Sequence, residues 1–171
     1  MADSNQFSIN LVTPERILLS GLATEVILRT AEGDITFLAG HTPVVGTVEP
    51  GVVRVVRGEG DEERIAVHGG FVQVEQNVPL DEEADRNATP ATGTRITLLV
   101  GVAELAEEID VDRARAALEA AQTRVNELGG GATRTPAEGE QPDAELAEAE
   151  ASLRRAQVRL ETADASAQIN A

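Results

Sequence analysis

The chain of 171 residues contains no cysteine, no tryptophan, no tyrosine and no lysine. Without cysteine there can be no disulfide, no thiolate nucleophile and no thiolate metal ligand, and the redox compartment is left open. Aromatic residues make up only 2% of a chain that is 42% hydrophobic, so a core has to be built from Val, Ile, Leu and Ala around Phe7, Phe37 and Phe71. All 14 cationic side chains are arginines, set against 30 carboxylates, for a formal charge of -16. So acidic a surface repels phosphate backbones and excludes broad nucleic-acid binding. Long apolar runs are absent too: nothing approaches the roughly 20 residues of a membrane span, and the start, Met-Ala-Asp-Ser-Asn-Gln, has neither a basic region nor an apolar segment behind it. A cytoplasmic protein is expected, held at any membrane by other subunits. The two histidines, His41 and His68, stand far apart without the clustered ligands of a metal site, and no metal is expected.

What is present falls into two parts. From Phe7 to about Leu80, short β-rich runs alternate with Gly, Pro and acidic turns, as in an antiparallel sandwich or barrel. Phe7, Ile9 and Leu11 share one face of the first run, Val26 and Leu28 of another, Val53 and Val55 of a third. Arg57 to Glu62 reads as the turn of a hairpin joining the run at Val52 to Val56 to the run at Arg64 to Val67. Residues 81–93 are acidic and nearly devoid of large apolar groups, and read as a surface loop before a last β-like run from Arg95 to Val102. From Asp110 the period changes: Val111, Ala114, Leu118, Ala121, Val125 and Leu128 follow helical 3-4 spacing, and Leu146, Ala149, Leu153, Ala156, Leu160 and Ala163 repeat it. The expectation is an α+β chain: an N-terminal antiparallel β-sandwich over 1–103, then an antiparallel α-helical hairpin over 104–171. The two seams are of matched length, roughly 27 Å each, within helices placed at about 110–128 and 143–163 and joined by a linker over 129–142. Asp110 and Asp143 stand at the N-cap positions, and Gly129 opens the triplet that stops the first helix. Five of the twelve seam positions are alanine, so the hairpin is expected to be only marginally stable by itself.

The stretch Glu-Gly-Asp-Ile-Thr-Phe-Leu-Ala-Gly-His-Thr-Pro, from Glu32 to Pro43, sets a short apolar strand between two shaped loops. Followed by Ala66-Val-His-Gly-Gly-Phe-Val-Gln-Val74 and by Glu107-Glu-Ile-Asp-Val-Asp-Arg-Ala114 ahead of a helix, it resembles the epsilon subunit of the bacterial F-type, proton-translocating ATP synthase. The resemblance covers most of the chain. Two features depart from that pattern: the 81–93 loop, where the family joins its strands more tightly, and the long 129–142 linker.

The resemblance implies a non-catalytic subunit of the central stalk, peripheral at the cytoplasmic face of the cell membrane. In it, the sandwich docks on the gamma subunit and the membrane rotor ring. It makes Glu32 and Asp34 candidates for contact with the ring, and Gly40, His41 and Pro43 candidates for contact with gamma or ring. It also implies ATP as a regulatory ligand, with Glu104, Ile109, Asp110, Arg113 and Ala114 matching the family's motif, and Arg155 and Arg159 in the second-helix positions. Guanidiniums at i and i+4 share a helix face and suit a polyphosphate, while a carboxylate suits an adenine amino group. The residues themselves leave a second reading open, in which Asp110 only caps a helix and the arginines pair with neighbouring carboxylates. The resemblance implies a third, inhibitory use, in which Arg154, Arg155 and Arg159 meet an acidic segment of a beta subunit in the alpha/beta hexamer. No catalytic group and no required cofactor are expected. Two alternatives from other classes are a freestanding ATP sensor and an acidic adaptor without a ligand.

Overall fold

The computed structural model describes residues 5–79, 92–129 and 144–169. They form two compact units, one running to Leu105 and one beginning at Ala106.

The first unit is a β-sandwich. Its strands are β1 (Phe7–Val12), β2 (Ile17–Ala23), β3 (Glu25–Thr30), β4 (Gly33–Leu38), β5 (Val44–Val48), β6 (Gly51–Gly58), β7 (Asp61–Val67), β8 (Gly70–Pro79), β9 (Thr92–Val100) and β10 (Ala103–Leu105). One sheet has the order β2-β1-β9-β8-β5 and the other β10-β7-β6-β3-β4. All the pairings are antiparallel except one: β1 lies parallel to β9, with Ile9 opposite Ile96 and Leu11 opposite Leu98. Parallel neighbours need a long connection between them, and here the rest of the sandwich serves as that connection. The unit extends two residues beyond the boundary expected at 103, because β10 pairs with β7 and sets Glu104 opposite Ala66. Of the loop expected over 81–93, Thr92 and Gly93 already belong to β9 and the rest lies outside the described residues.

The alternation seen in the sequence decides which side chains enter the core. Phe7, Ile9 and Leu11 are fully buried, as are Val26, Leu28, Val53, Val55, Ile65 and Val67 from the facing sheet. Each such side chain contributes about 1.5–3 kcal/mol by leaving water. Phe7 and Phe37 are the aromatic members of this core, and Phe71 is not: β8 turns Val72 and Val74 inward, so the odd-numbered Phe71 points outward, 56% exposed.

Gly70 starts β8 at φ +157°, and a Cβ built there would lie 2.3 Å from the carbonyl oxygen of Leu99 and 2.9 Å from the Cα of Val100. Both obstacles are backbone of the neighbouring strand, which cannot rotate away. Gly70→Ala is expected to cost about 1–3 kcal/mol or more, read as a lower urea midpoint. Gly46→Ala, whose Cβ would meet only Val72 at an ordinary 3.7 Å, serves as the control.

On the outer face of the second sheet, Arg54 donates from Nε and NH2 to the two oxygens of Glu62 (3.0 and 2.7 Å), and Arg64 Nε donates to the same carboxylate at 2.7 Å. The hydrogen bonds from Arg54 hold the Glu62 carboxyl below the usual glutamate range, against partial burial that acts the other way. A depressed carboxylate stabilises the fold above its unfolded value, about 4.3, and that contribution is lost as pH falls through the lower folded value. Glu62→Gln is therefore expected to remove about 1 kcal/mol near neutral pH. It should also flatten the fall of stability with pH below about 4.3, measured by urea unfolding at a series of pH values.

The second unit has a 3-10 turn (Ala106–Glu108) followed by α1 (Val111–Gly129) and α2 (Ala144–Ile169). Asp110 caps α1: its Oδ1 accepts from the Arg113 amide at 3.0 Å and its carbonyl from the Ala114 amide at 2.9 Å. Ala114 and Ala121 of the seam are buried, with Val111, Leu118, Val125 and Leu128 half-buried beside them. At the loop end of the hairpin, Arg124 NH2 pairs with Glu145 Oε2 at 2.8 Å. The helices are not of matched length, as expected from the seam, but of 19 and 26 residues. Asp164 to Gln168 contains no helix breaker, so α2 runs past the last seam position. It also buries Val158 and Thr162, which lie off the seam, and the Thr162 hydroxyl returns to the Val158 carbonyl at 2.7 Å. Asp143 and residues 130–142 of the linker lie outside the described residues, while Gly129 is the last residue of α1.

Candidate functional site

The loop candidates stand at the two ends of one strand. Glu32 is exposed in the turn before β4, and Asp34 is exposed on β4 itself. Asp34 is engaged: Arg29 donates from Nε to its Oδ1 at 2.8 Å and from NH2 to its Oδ2 at 3.3 Å, which holds the carboxyl below its ordinary range. Gly40, His41 and Pro43 lie beyond the other end of β4, about 20 Å away by the rise of a six-residue strand. The two loops are thus a strand's length apart, and a small partner surface could not cover both.

The Gly-His-Thr-Pro loop crosses from β4 of one sheet to β5 of the other and is fastened to the first sheet by side chains. Thr94 Oγ1 accepts from the Gly40 amide at 2.8 Å, and Gln76 Nε2 donates to the carbonyls of Gly40 and His41, both at 2.8 Å. Gly40 takes φ +82°, a region open to glycine. The His41 ring packs edge-on against Phe37 with centroids 4.8 Å apart, and its Nδ1 lies 2.8 Å from the Thr42 carbonyl oxygen. These contacts fix the shape of the loop while Pro43 stays exposed beside Val44 and Val45.

The registers reveal a surface that the sequence reading missed. Ile17 is opposite Val12, Val12 opposite Leu99 and Leu99 opposite Phe71, giving one apolar row across four strands on the outer face of the first sheet. Ile17 is 64% exposed, Phe71 56% and Leu99 48%. Val45, 71% exposed, stands on the same face next to the Gly-His-Thr-Pro loop. The row lies toward the end of the sandwich that carries Glu32, because Glu49, just past β5, donates its amide to the Arg29 carbonyl at 2.9 Å. A signal was available: Phe71 is out of phase with Val72 and Val74, and Leu99 with Ile96 and Leu98. Solvated antiparallel faces are usually polar, so large apolar residues at those positions mark an interaction surface.

Of the nucleotide candidates, Glu104 belongs to the first unit, in β10, and the other six to the second. Ile109 is half-buried and donates its amide to the Ala106 carbonyl at 3.4 Å, Asp110 is the cap, Arg113 is exposed and Ala114 is buried in the seam. Arg155 and Arg159 are half-buried one turn apart on α2, on the side of Val158 and Thr162 rather than on the seam. Arg155 NH2 donates to Glu148 Oε1 and to Ser152 Oγ, both at 2.7 Å. Glu148 and Ser152 also line a groove of about 640 Å³ between the helices, floored by Ala117, Ala120, Ala121 and Ala149. Among the described residues there is no cluster of three metal-ligating side chains, and no helix is long and apolar enough to cross a membrane.

Comparison with known proteins agrees with this architecture unit by unit. Residues 6–78 match the family model for the beta-sandwich domain of the ATP synthase Delta/Epsilon chain, and residues 107–164 the model for its long alpha-helix domain. The chain is 44% identical over 124 residues to the ATP synthase epsilon chain of Thermobifida fusca, covering 71% of this chain and 79% of that one. It is 34% identical over 158 residues to the epsilon chain of Moorella thermoacetica, covering 92% and 96%. A chain in the OSCP/F1/c-ring structure of Euglena gracilis mitochondrial ATP synthase shares the fold, with a TM-score of 0.64 at 22% identity over 92% of this chain and 81% of that one. A sandwich with a fastened Gly-His-Thr-Pro loop, a capped helical hairpin and two matching domain models together show that the chain belongs to the ATP synthase epsilon chain family, as a non-catalytic subunit of the central stalk.

Proposed function

We propose that this subunit carries torque between the membrane rotor ring and the gamma subunit, at the cytoplasmic face of the membrane, and that its hairpin restrains ATP hydrolysis and responds to ATP. The observation that carries the first part is the apolar row Ile17, Val12, Leu99 and Phe71. An exposed stripe of this kind on a sheet otherwise closed by its own core gains from being covered, and gamma is the partner that the family supplies. Gamma lying along the outer face of the first sheet would meet the row at one end, and Val45, His41 and Pro43 at the other. Glu32 and Asp34, at the row's end of the sandwich but on the second sheet, are then left for the polar loops of the ring.

For the hairpin, Arg155 and Arg159 share one α2 face, and the i,i+4 spacing suits a triphosphate. Ile109, Asp110, Arg113 and Ala114 supply the family motif at the start of α1, and Glu104 its upstream carboxylate. The same arginines, with Arg154, suit contact with the alpha/beta hexamer when the hairpin is extended. Alanine at five of the twelve seam positions keeps the burial between the helices modest, which favours such a change.

Phe71→Asp combined with Leu99→Asp is expected to leave the sandwich folded and to abolish co-purification with gamma; retention of gamma by the double variant would remove this face from the interface. Truncation after Ile109 is expected to keep gamma binding and to release inhibition of ATP hydrolysis in the reconstituted enzyme. Unchanged hydrolysis would argue against a brake. Arg155→Ala with Arg159→Ala is expected to weaken ATP binding by at least tenfold in titration calorimetry, each charged hydrogen bond being worth about 1.5–3 kcal/mol.

A further inference from the structure

We infer that Glu148 is a built-in competitor for ATP, engaging one terminal nitrogen of the Arg155 guanidinium so that nucleotide contends there with a carboxylate of the same helix. The inference rests on the nucleotide-binding reading of Arg155 and Arg159 and concerns how that site is regulated. Glu148, Ser152 and Arg155 fall at i, i+4 and i+7 of α2, two full turns on one side of the helix. One terminal nitrogen, NH2 of Arg155, donates both to Glu148 Oε1 and to Ser152 Oγ at 2.7 Å. The Ser152 hydroxyl in turn stands 3.5 Å from the same Glu148 oxygen, at the limit of a hydrogen bond, which closes the three groups into a clasp.

The clasp has a direction. Glu148 lies seven residues before Arg155, so the side chain is drawn toward the start of α2, where Glu148 and Ser152 form part of the wall of the interhelical groove. Arg159 lies one turn in the opposite direction along the helix. A phosphate group bridging the two arginines needs Arg155 aimed at Arg159, and the clasp aims it away. Carboxylate and phosphate offer the same kind of charged acceptor to the same donor, so the two contacts exclude each other at this nitrogen. Glu148 is exposed, and its carboxyl is held below the ordinary range, first by the hydrogen bond from Arg155. At neutral pH it is therefore always charged and always competing.

An exposed pair of this kind is weak, so its effect is a tuning of the ATP threshold and not a block. The test is titration calorimetry of the full chain with ATP for the wild type, Glu148→Gln, Ser152→Ala and Glu150→Gln. Glu150 is exposed on a different face of α2 and makes the same change of charge without touching the clasp. Glu148→Gln is expected to lower the dissociation constant about two- to fivefold, Ser152→Ala to lower it by a smaller factor, and Glu150→Gln to leave it unchanged. Equal affinity for wild type and Glu148→Gln, or the same gain in Glu150→Gln, would overturn the competitor and leave the nucleotide site standing. No saturable heat from either wild type or Glu148→Gln across the millimolar range would remove the nucleotide site and the competitor together.

Discussion

The first sheet is one sheet only because β1, the first strand of the chain, lies beside β9, the last long one. Their parallel ladder, Ser8 to Val12 against Arg95 to Leu99, joins the β1/β2 ribbon to the β8/β9 hairpin and its neighbour β5. Every other pairing in that sheet is made either by a hairpin or by β5 returning to β8. Removing this ladder would separate two ribbons, expose Ile9, Leu11, Ile96 and Leu98, and take the floor from beneath the facing sheet. The contact is also the costliest in chain entropy, since it closes a loop through nearly the whole unit. The apolar row exists for the same reason: Val12 is brought beside Leu99 by this ladder alone.

The sandwich, the hairpin and the division between them were legible because each rests on a period. Alternation in β1, β3 and β6 picks out Phe7, Ile9, Leu11, Val26, Leu28, Val53 and Val55, all of which are buried. Spacing of three and four picks out Ala114 and Ala121, and the Asp110 cap follows from its place before Val111. Pairings between distant strands leave no such mark. Nothing local tells that β1 runs beside β9, or that Ala103 to Leu105 pairs with β7.

Of the candidate sites, the loop before β5 was legible in its glycine and proline, but not the means of holding it, since Thr94 and Gln76 lie 54 and 36 residues from Gly40. Phe71 shows how composition misleads. In a chain with three phenylalanines each is an obvious choice for the core, yet its phase along β8 faces it to water. On α2 the arginines were legible by spacing, whereas the Glu148 clasp needed side-chain positions, because a separation of seven residues admits several rotamers.

β4 links the Glu32 turn to the Gly-His-Thr-Pro loop and is hydrogen-bonded along its length to β3, from Gly33 opposite Thr30 to Leu38 opposite Glu25. Hydrogen bonds in an antiparallel pair run perpendicular to the strands. A pull along β4 therefore loads them all at once, in shear, while a pull across the strand would open them one at a time. The two loops are joined along this axis, so a load passing from one to the other would meet the pair in the direction in which its hydrogen bonds act together.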